Sequence, residues 1–525
     1  MFCALQNTFF LLFSGLSSAA TEKPNIIFIL ADDMGYGDMS HTGGKAATPH
    51  CDWLAAEGMR FTDAHTSSSV CTPTRYGILT GRYNWRSTLK KGVLSGFKPP
   101  LIKEHRLTVA DYLKNQGYKT AMIGKWHLGI GWQNLPKGKK VSPRKNLVDH
   151  PKAKPGIGKG WNVDFTKPII GPASFGFDSF WGVGASLDMP PYVYLENDRV
   201  LGTPDICNSF NRRPGPATED FDASLSLIKL AQKSRQFIAQ QSADKPFFLY
   251  LPLTSPHTPV SPSKKWQGKS SIGPYGDFLM ETDWVVGEVL SELQHQGLSE
   301  NTMVIFTADN GCSPDADIDD LQSKGHFPNA PWRGAKSDIF EGGHRVPFIV
   351  RWPAQIKAGS LSDSTICTTD FFATAADATG ALSEIPANTA EDSFSFLSEL
   401  TASGKTQRLT TIHHSSSGYF AIRKGDWKLV LCAHSGGRGF PHIDRDKEAI
   451  KDLPLIQLYN MKDDPKEEHN LHDKNPETVH KLITILTKEI KDGRITNGPV
   501  QANDGYPPFE SDIIERFPEL NFTKK

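Results

Sequence analysis

The sequence predicts an α/β protein, with a large mixed, mostly parallel sheet between helices and a small C-terminal subdomain holding an antiparallel sheet and one helix. Three observations carry that prediction. Short apolar runs rich in β-branched residues recur without the alternation of a half-exposed strand, as in strands buried on both faces. Amphipathic helical patterns separate these runs, which implies βαβ units and a doubly wound sheet. Beyond about residue 405 the period shifts to short paired segments that read as hairpins.

The first run, 25–31, ends on Asp32-Asp33 and the turn Met34-Gly35-Tyr36-Gly37-Asp38. Adjacent carboxylates repel unless a cation sits between them, although alone the pair reads as a solvated turn. A second run, 302–308, ends on Asp309-Asn310-Gly311. Parallel α/β sheets bind ligands at the carboxyl ends of their strands. Asp32, Asp33, Asp309 and Asn310 therefore offer an all-oxygen site suited to Ca²⁺ or Mg²⁺ rather than Zn²⁺. Run 119–124 ends on Lys125-Trp126-His127, and run 246–251 continues towards Ser255-Pro256-His257. Residues 345–350 are a fifth strand candidate, with Lys336 in the Gly-rich loop before them. Singly, each Lys or His suits a surface or hydrogen-bonded position. Four runs delivering Asp-Asp, Lys-x-His, His and Asp-Asn to one sheet edge point to a site.

Helical patterns fall at 107–113, 223–241 and 278–296, and Pro-, Gly- and Lys-rich segments 131–175 and 258–276 read as surface loops. In the C-terminal part, 419–423 and 427–431 flank a Lys424-Gly425-Asp426 turn, 455–459 is a further strand, and 476–491 is an amphipathic helix. Within 67–82, Pro73 suits the first position of a helix and Gly81 its end. Cys71 or Thr72 then forms the cap, with Arg75 inside the first turn. A thiol and a guanidinium at the positive end of a helix make an anion site. The alternative is a buried structural cysteine beside a surface arginine.

The 58 basic and 58 acidic side chains cancel, which argues against a nucleic-acid partner. With 525 residues the chain can form one large domain with an appendage, or two to three ordinary ones. Residues 1–20 read as a secretory signal, with an apolar stretch at 9–13 and small residues Ser18-Ala19-Ala20 for cleavage, though no Lys or Arg precedes it. Nothing later is long and apolar enough to span a bilayer, so export to a periplasm, the exterior or a secretory lumen is expected. The divisions expected are the signal peptide at 1–20, a catalytic domain at 21–404 and the C-terminal subdomain at 405–525. Seven cysteines are present; with Cys3 in the leader and Cys71 set aside for chemistry, five remain, allowing at most two disulfides.

Cys71-Thr72-Pro73-Thr74-Arg75 followed by Thr80-Gly81-Arg82 resembles the signature of the type I, formylglycine-dependent sulfatases. The similarity runs from Pro24 to about Asp473 and includes Ile29-Leu30-Ala31-Asp32-Asp33, Gly124-Lys125-Trp126-His127, Ser255-Pro256-His257, Thr307-Ala308-Asp309-Asn310-Gly311 and Gly334-Ala335-Lys336. The general likeness is to arylsulfatase A and N-acetylgalactosamine-6-sulfatase. It implies an alkaline-phosphatase-like fold, hydrolysis of sulfate esters, and a maturation enzyme that oxidises Cys71 to formylglycine. It further implies that Asp32, Asp33, Asp309, Asn310 and the modified residue 71 hold Ca²⁺, with Mg²⁺ as the other candidate. One hydroxyl of a geminal diol at residue 71, deprotonated with help from the metal and Asp309, would attack sulfur. Arg75, Lys125 and Lys336 would neutralise the sulfuryl oxygens. His257, with Lys336, would protonate the departing alcohol, and His127 would take the proton of the second hydroxyl as sulfate leaves.

The expected substrate is a sulfated glycan or a smaller sulfate ester. Loops expected to set specificity are 181–199 (with Asp188, Tyr192 and Tyr194), Arg212-Arg213 and 326–333. The alternatives are a formylglycine-dependent phosphonate or phosphodiester hydrolase of the same superfamily, and a non-catalytic sulfoglycan-binding relative. The sequence leaves oligomeric state open.

Overall fold

The computed structural model describes residues 23–439, 452–504 and 517–518. The expected leader at 1–20 and most of the chain after residue 504 lie outside the described residues.

Ten strands make the main sheet: β1 (Asn25–Asp32), β2 (Met59–Phe61), β3 (Lys119–Lys125), β4 (Ser179–Val183), β5 (Leu195–Glu196), β6 (Arg199–Val200), β7 (Phe247–Pro256), β8 (Thr302–Ala308), β9 (Phe348–Arg351) and β10 (Ser360–Ser362). Their order across the sheet is β10-β2-β9-β8-β1-β7-β3-β4-β5-β6. The strands β8, β1, β7, β3 and β4 are parallel, and they include the four central runs read from the sequence. The fifth run forms β9, but it lies antiparallel to β8, with Val304 opposite Arg351.

Every residue of β1 is buried, and its side chains alternate between two cores. Ile27 and Ile29 pack with α1 (Pro49–Glu57), α4 (Ser226–Ile238) and α5 (Pro274–His295). Ile26, Phe28 and Leu30 pack with α2 (Cys71–Thr80), α3 (Val109–Asn115) and α6 (Phe371–Ala378). Full burial of such side chains stabilises by roughly 1.5–3 kcal/mol each. Both faces of the sheet are therefore covered, and its chemistry is confined to the strand ends.

The C-terminal strands β11 (Thr411–His414), β12 (Phe420–Lys424), β13 (Trp427–Val430) and β14 (Gln457–Asn460) form an antiparallel meander. Helix α7 (Pro476–Lys491) lays Val479, Leu482, Ile483, Leu486 and Ile490 on it, in one cluster with Tyr83 and Trp85. All six described cysteines are buried free thiols, so no disulfide forms among the described residues. No described helix is long and apolar enough to cross a membrane.

Candidate active site

The carboxyl ends of β1, β8, β3 and β7 meet the start of α2. That helix begins on Cys71 itself, two residues before the expected Pro73, because Val70 is still extended (φ −146°, ψ 155°). Pro73 is tolerated there because first-turn N–H groups have no helical partner. Gly81 adopts φ 62°, and its N–H donates to the Gly77 carbonyl, closing the helix. The Arg75 side chain is fully buried rather than on the surface.

Asp32 ends β1 and accepts from Lys125 Nζ, at the end of β3, at 2.5 Å. The left-handed turn at Asp33 (φ 64°) swings its carboxylate towards Lys336, whose Nζ lies 2.6 Å from Asp33 Oδ1. Asn310 Nδ2 donates to Asp33 Oδ1 at 2.8 Å, and the Asp33 N–H donates to Asp309 Oδ1 at 3.1 Å. Arg75 grips Asp309 Oδ2 through Nε (3.0 Å) and Nη2 (2.7 Å), and donates to the Lys125 carbonyl at 2.8 Å. Cys71 Sγ lies 3.4 Å from Lys336 Nζ and 3.9 Å from Asp33 Oδ1. His257, just past β7, places Nε2 3.6 Å from Asp33 Oδ2. His127 follows β3 and stands at the same helix start, where its carbonyl accepts from Thr72 Oγ1 at 2.9 Å. Lys336 reaches the site because its N–H donates to the Cys312 carbonyl (3.0 Å) and the next N–H, of Ser337, to the Ser69 carbonyl (2.8 Å). All ten residues singled out from the sequence thus converge on one strand-end cluster.

Electrostatics set the protonation states. Burial pushes the Asp32 carboxyl up, but Lys125, His257, Arg75 and Lys336 outweigh it and hold the group well below its ordinary range. Asp309 is pushed up to about 6 by burial and by the neighbouring Asp32 charge. Burial, then Asp309, drives the Cys71 thiol upward, so at neutral pH it is an uncharged thiol and a poor nucleophile. Burial, with Lys125 and Arg75, holds His127 well below its ordinary value, so its ring is neutral. Its Nε2 faces the Leu94 carbonyl at 2.8 Å and must carry the hydrogen, which leaves Nδ1, buried and without a partner among the described residues, as the lone-pair nitrogen. His257 is the reverse: Nδ1–H donates to the Thr258 carbonyl, and Nε2 is the atom turned to the site.

At the site, Asp32 Oδ1 and Asn310 Oδ1 have no hydrogen-bond partner among the described residues, although Arg75 Nη2 stands 3.4 Å from Asp32 Oδ1. Orphaned buried acceptors are rare. Together with Asp33 and Asp309 they form an oxygen donor set, which fits a hard divalent cation.

The expected specificity loops fare differently. Trp181 and Tyr194 stack at 4.7 Å inside the core, and Tyr192 is buried with them. Asp188 is ion-paired with Arg213, while Arg212 is exposed. His326 is fully buried and holds Asp38 at 2.8 Å, where Tyr275 also donates at 2.8 Å. The Asp188–Arg213 and His326–Asp38 pairs brace the loops after β4 and β1. Sequence reading also missed a buried polar hub in which Lys428 of β13 meets Glu341 (3.0 Å), Glu467 (2.7 Å) and the Ile339 carbonyl (3.0 Å). It ties the C-terminal sheet to the loop that carries Lys336. Its members come from three distant segments, so no local spacing marks them.

The family model described as Sulfatase matches residues 24–381. The chain belongs to the sulfatase family. This sulfatase is 32% identical over 512 residues to the N-acetylgalactosamine-6-O-sulfatase of Bacteroides thetaiotaomicron, covering 89% of this chain and 93% of that one. It is 31% identical over 519 residues to human arylsulfatase A, covering 93% and 92%. A solved Bacteroides thetaiotaomicron structure, described under metabolism of multiple glycosaminoglycans, superposes with a TM-score of 0.75 at 30% identity, over 89% of this sulfatase and 99% of that chain. The alkaline-phosphatase-like architecture and sulfuric ester hydrolysis expected from the motifs are those of this family.

Proposed function

We propose that this sulfatase removes sulfate from glycosaminoglycan-type sugars, with Cys71 acting after conversion to formylglycine. The observation that carries the reading is the position of Cys71. It opens α2 within 3.4 Å of Lys336 Nζ, amid the carboxylates of Asp32, Asp33 and Asp309 and the cations of Arg75 and Lys125. The names of the N-acetylgalactosamine-6-O-sulfatase and glycosaminoglycan-metabolism relatives support a carbohydrate sulfate.

Formylglycine supplies a geminal diol, with one hydroxyl to attack sulfur and a second through which sulfate is expelled; a thiol has no such second group. Asp32, Asp33, Asp309 and Asn310 would hold Ca²⁺ or Mg²⁺, which offsets negative charge on the sulfuryl group. The remaining chemistry belongs to the chain. Arg75, Lys125 and Lys336 neutralise the oxygens as charge builds. As the imidazolium, with Nδ1–H held by the Thr258 carbonyl, His257 gives the departing alcohol a proton from Nε2, the ring atom turned to the site. His127 accepts a proton at Nδ1, its lone-pair nitrogen. The Asp309 carboxylate would help take the proton of the attacking hydroxyl.

We assign the catalytic unit to 21–404, the C-terminal subdomain to 405–525, and the working location to outside the cytoplasm after removal of residues 1–20. The test is sulfate release by the matured protein from N-acetylgalactosamine 6-sulfate and 4-nitrophenyl sulfate, beside hydrolysis of an aryl phosphodiester. Sulfate esters are expected to turn over faster. Faster phosphodiester hydrolysis would assign the site to the phosphonate or phosphodiester class, and sugar binding without turnover to a non-catalytic relative.

A further inference from the structure

A cleft of about 980 Å³ opens beside the site, at the upper end of the roughly 300–1,000 Å³ usual for small-molecule sites. Its walls come from segments 146–152, 208–211 and 258–261, with Asp315 at one edge. None of these was among the loops expected to set specificity. Two walls continue from reactive segments. Residues 258–261 follow His257, and the Thr258 carbonyl orients the His257 ring. Asp315 lies three residues beyond Cys312, whose carbonyl accepts the Lys336 N–H at 3.0 Å. Arg438 draws the Asp315 carboxyl down, and Lys336 does so too, which sets this edge of the cleft close to the site.

The lining is close to neutral: Asp149 is offset by Lys152, and Asp315 is paired with Arg438 at 2.7 Å. The polar groups of the lining suit a sugar ring. The Oδ1 atoms of Asn146 and Asn208 accept from the N–H groups of Val148 (3.3 Å) and Ser209 (2.7 Å), leaving both amide NH₂ groups as donors without a partner among the described residues. Phe210 is half-buried, wedged edge-on against Tyr192 (5.0 Å) and Phe221 (5.3 Å), which fixes it as an apolar platform in the cleft wall. Amide donors beside a fixed aromatic recognise the hydroxyl, acetamido and C–H faces of an uncharged pyranose.

We propose that this cleft is the subsite for the sulfate-bearing sugar and its neighbour, with Asn146 and Asn208 reading uncharged polar groups on the leaving-group side. The proposal rests on the sulfatase reading above and deepens it. The test is the double variant Asn146→Ala/Asn208→Ala, at an exposed and a half-buried position of two neighbouring short strands. With N-acetylgalactosamine 6-sulfate its kcat/KM should fall at least 10-fold, mainly through KM, while 4-nitrophenyl sulfate, which carries no sugar, stays within 2-fold of the wild type. Binding of unsulfated N-acetylgalactosamine, followed by ligand-observed NMR on Cys71→Ala protein, should be present and should be lost when the double change is added. An unchanged sugar-sulfate kcat/KM, or an equal fall on both substrates, overturns the subsite. Retained sugar binding with no sulfate release by matured wild type would overturn the sulfatase reading and leave the subsite standing.

Discussion

Lys428→Met removes one ammonium from the hub beneath the Lys336 loop while keeping similar bulk. Lys428 is fully buried, and its Nζ faces Glu341 Oε1 at 3.0 Å, Glu467 Oε1 at 2.7 Å and the Ile339 carbonyl at 3.0 Å. Removing one partner of a buried pair costs about 3–5 kcal/mol, because the charge left behind is uncompensated. Unfolding entropy of about 2.1 cal/mol/K per residue gives about 1.1 kcal/mol/K for 525 residues, so Tm should fall by about 3–4 °C. The cost should depend on pH. Burial and the Glu341 charge raise Glu467 to about 7 despite Lys428, so in the folded state it is largely protonated below that value. A carboxyl raised on folding contributes stability at low pH that is lost as pH rises through the folded value. Without Lys428 the folded value rises further, so the variant should lose more at pH 8 than at pH 5.5. The assay is thermal unfolding of both proteins at the two pH values. A Tm within 1 °C of wild type at both, or a larger loss at pH 5.5, would refute the reasoning.

Glu489 tests the same linkage at a second buried carboxyl. Burial raises its carboxyl from 4.5 to about 7, although Thr410 Oγ1 donates to it at 2.6 Å. Its contribution is present below about 4.5 and lost as pH rises through about 7, worth about 3 kcal/mol at 1.36 kcal/mol per pH unit. Glu489→Gln should match wild type at pH 5 and unfold about 3 °C higher at pH 8.5 in calorimetry. Dialysis against a chelator should abolish sulfate release and lower Tm, Ca²⁺ should restore both, and Asp309→Asn protein should show neither response. An activity indifferent to chelation would contradict the cation site.

Much of this was legible in the sequence, for physical reasons. Strands buried on both faces leave unbroken apolar runs, and functional groups in a parallel sheet follow those runs directly, so Asp32, Lys125, His257 and Asp309 could be placed together. Direction was not legible: 345–350 reads equally apolar either way, and only pairing with β8 reverses β9. The start of α2 slipped by two residues because proline is tolerated throughout the first turn. The burial of Trp181, Tyr192 and Tyr194 was not legible either, because a ring that packs a core and one that faces solvent have the same composition. The Lys428–Glu341–Glu467 hub joins residues far apart in sequence, where no local pattern exists.

The central claim is that residue 71 works as something other than cysteine. Mass spectrometry of the peptide containing residue 71, with sulfate release measured on the same samples, tests it most directly. Protein made with a formylglycine-generating enzyme should carry the aldehyde, and activity should scale with the fraction converted. Protein made without it should fold, keep the thiol and be essentially inactive. Full activity with an intact Cys71 thiol would contradict the account.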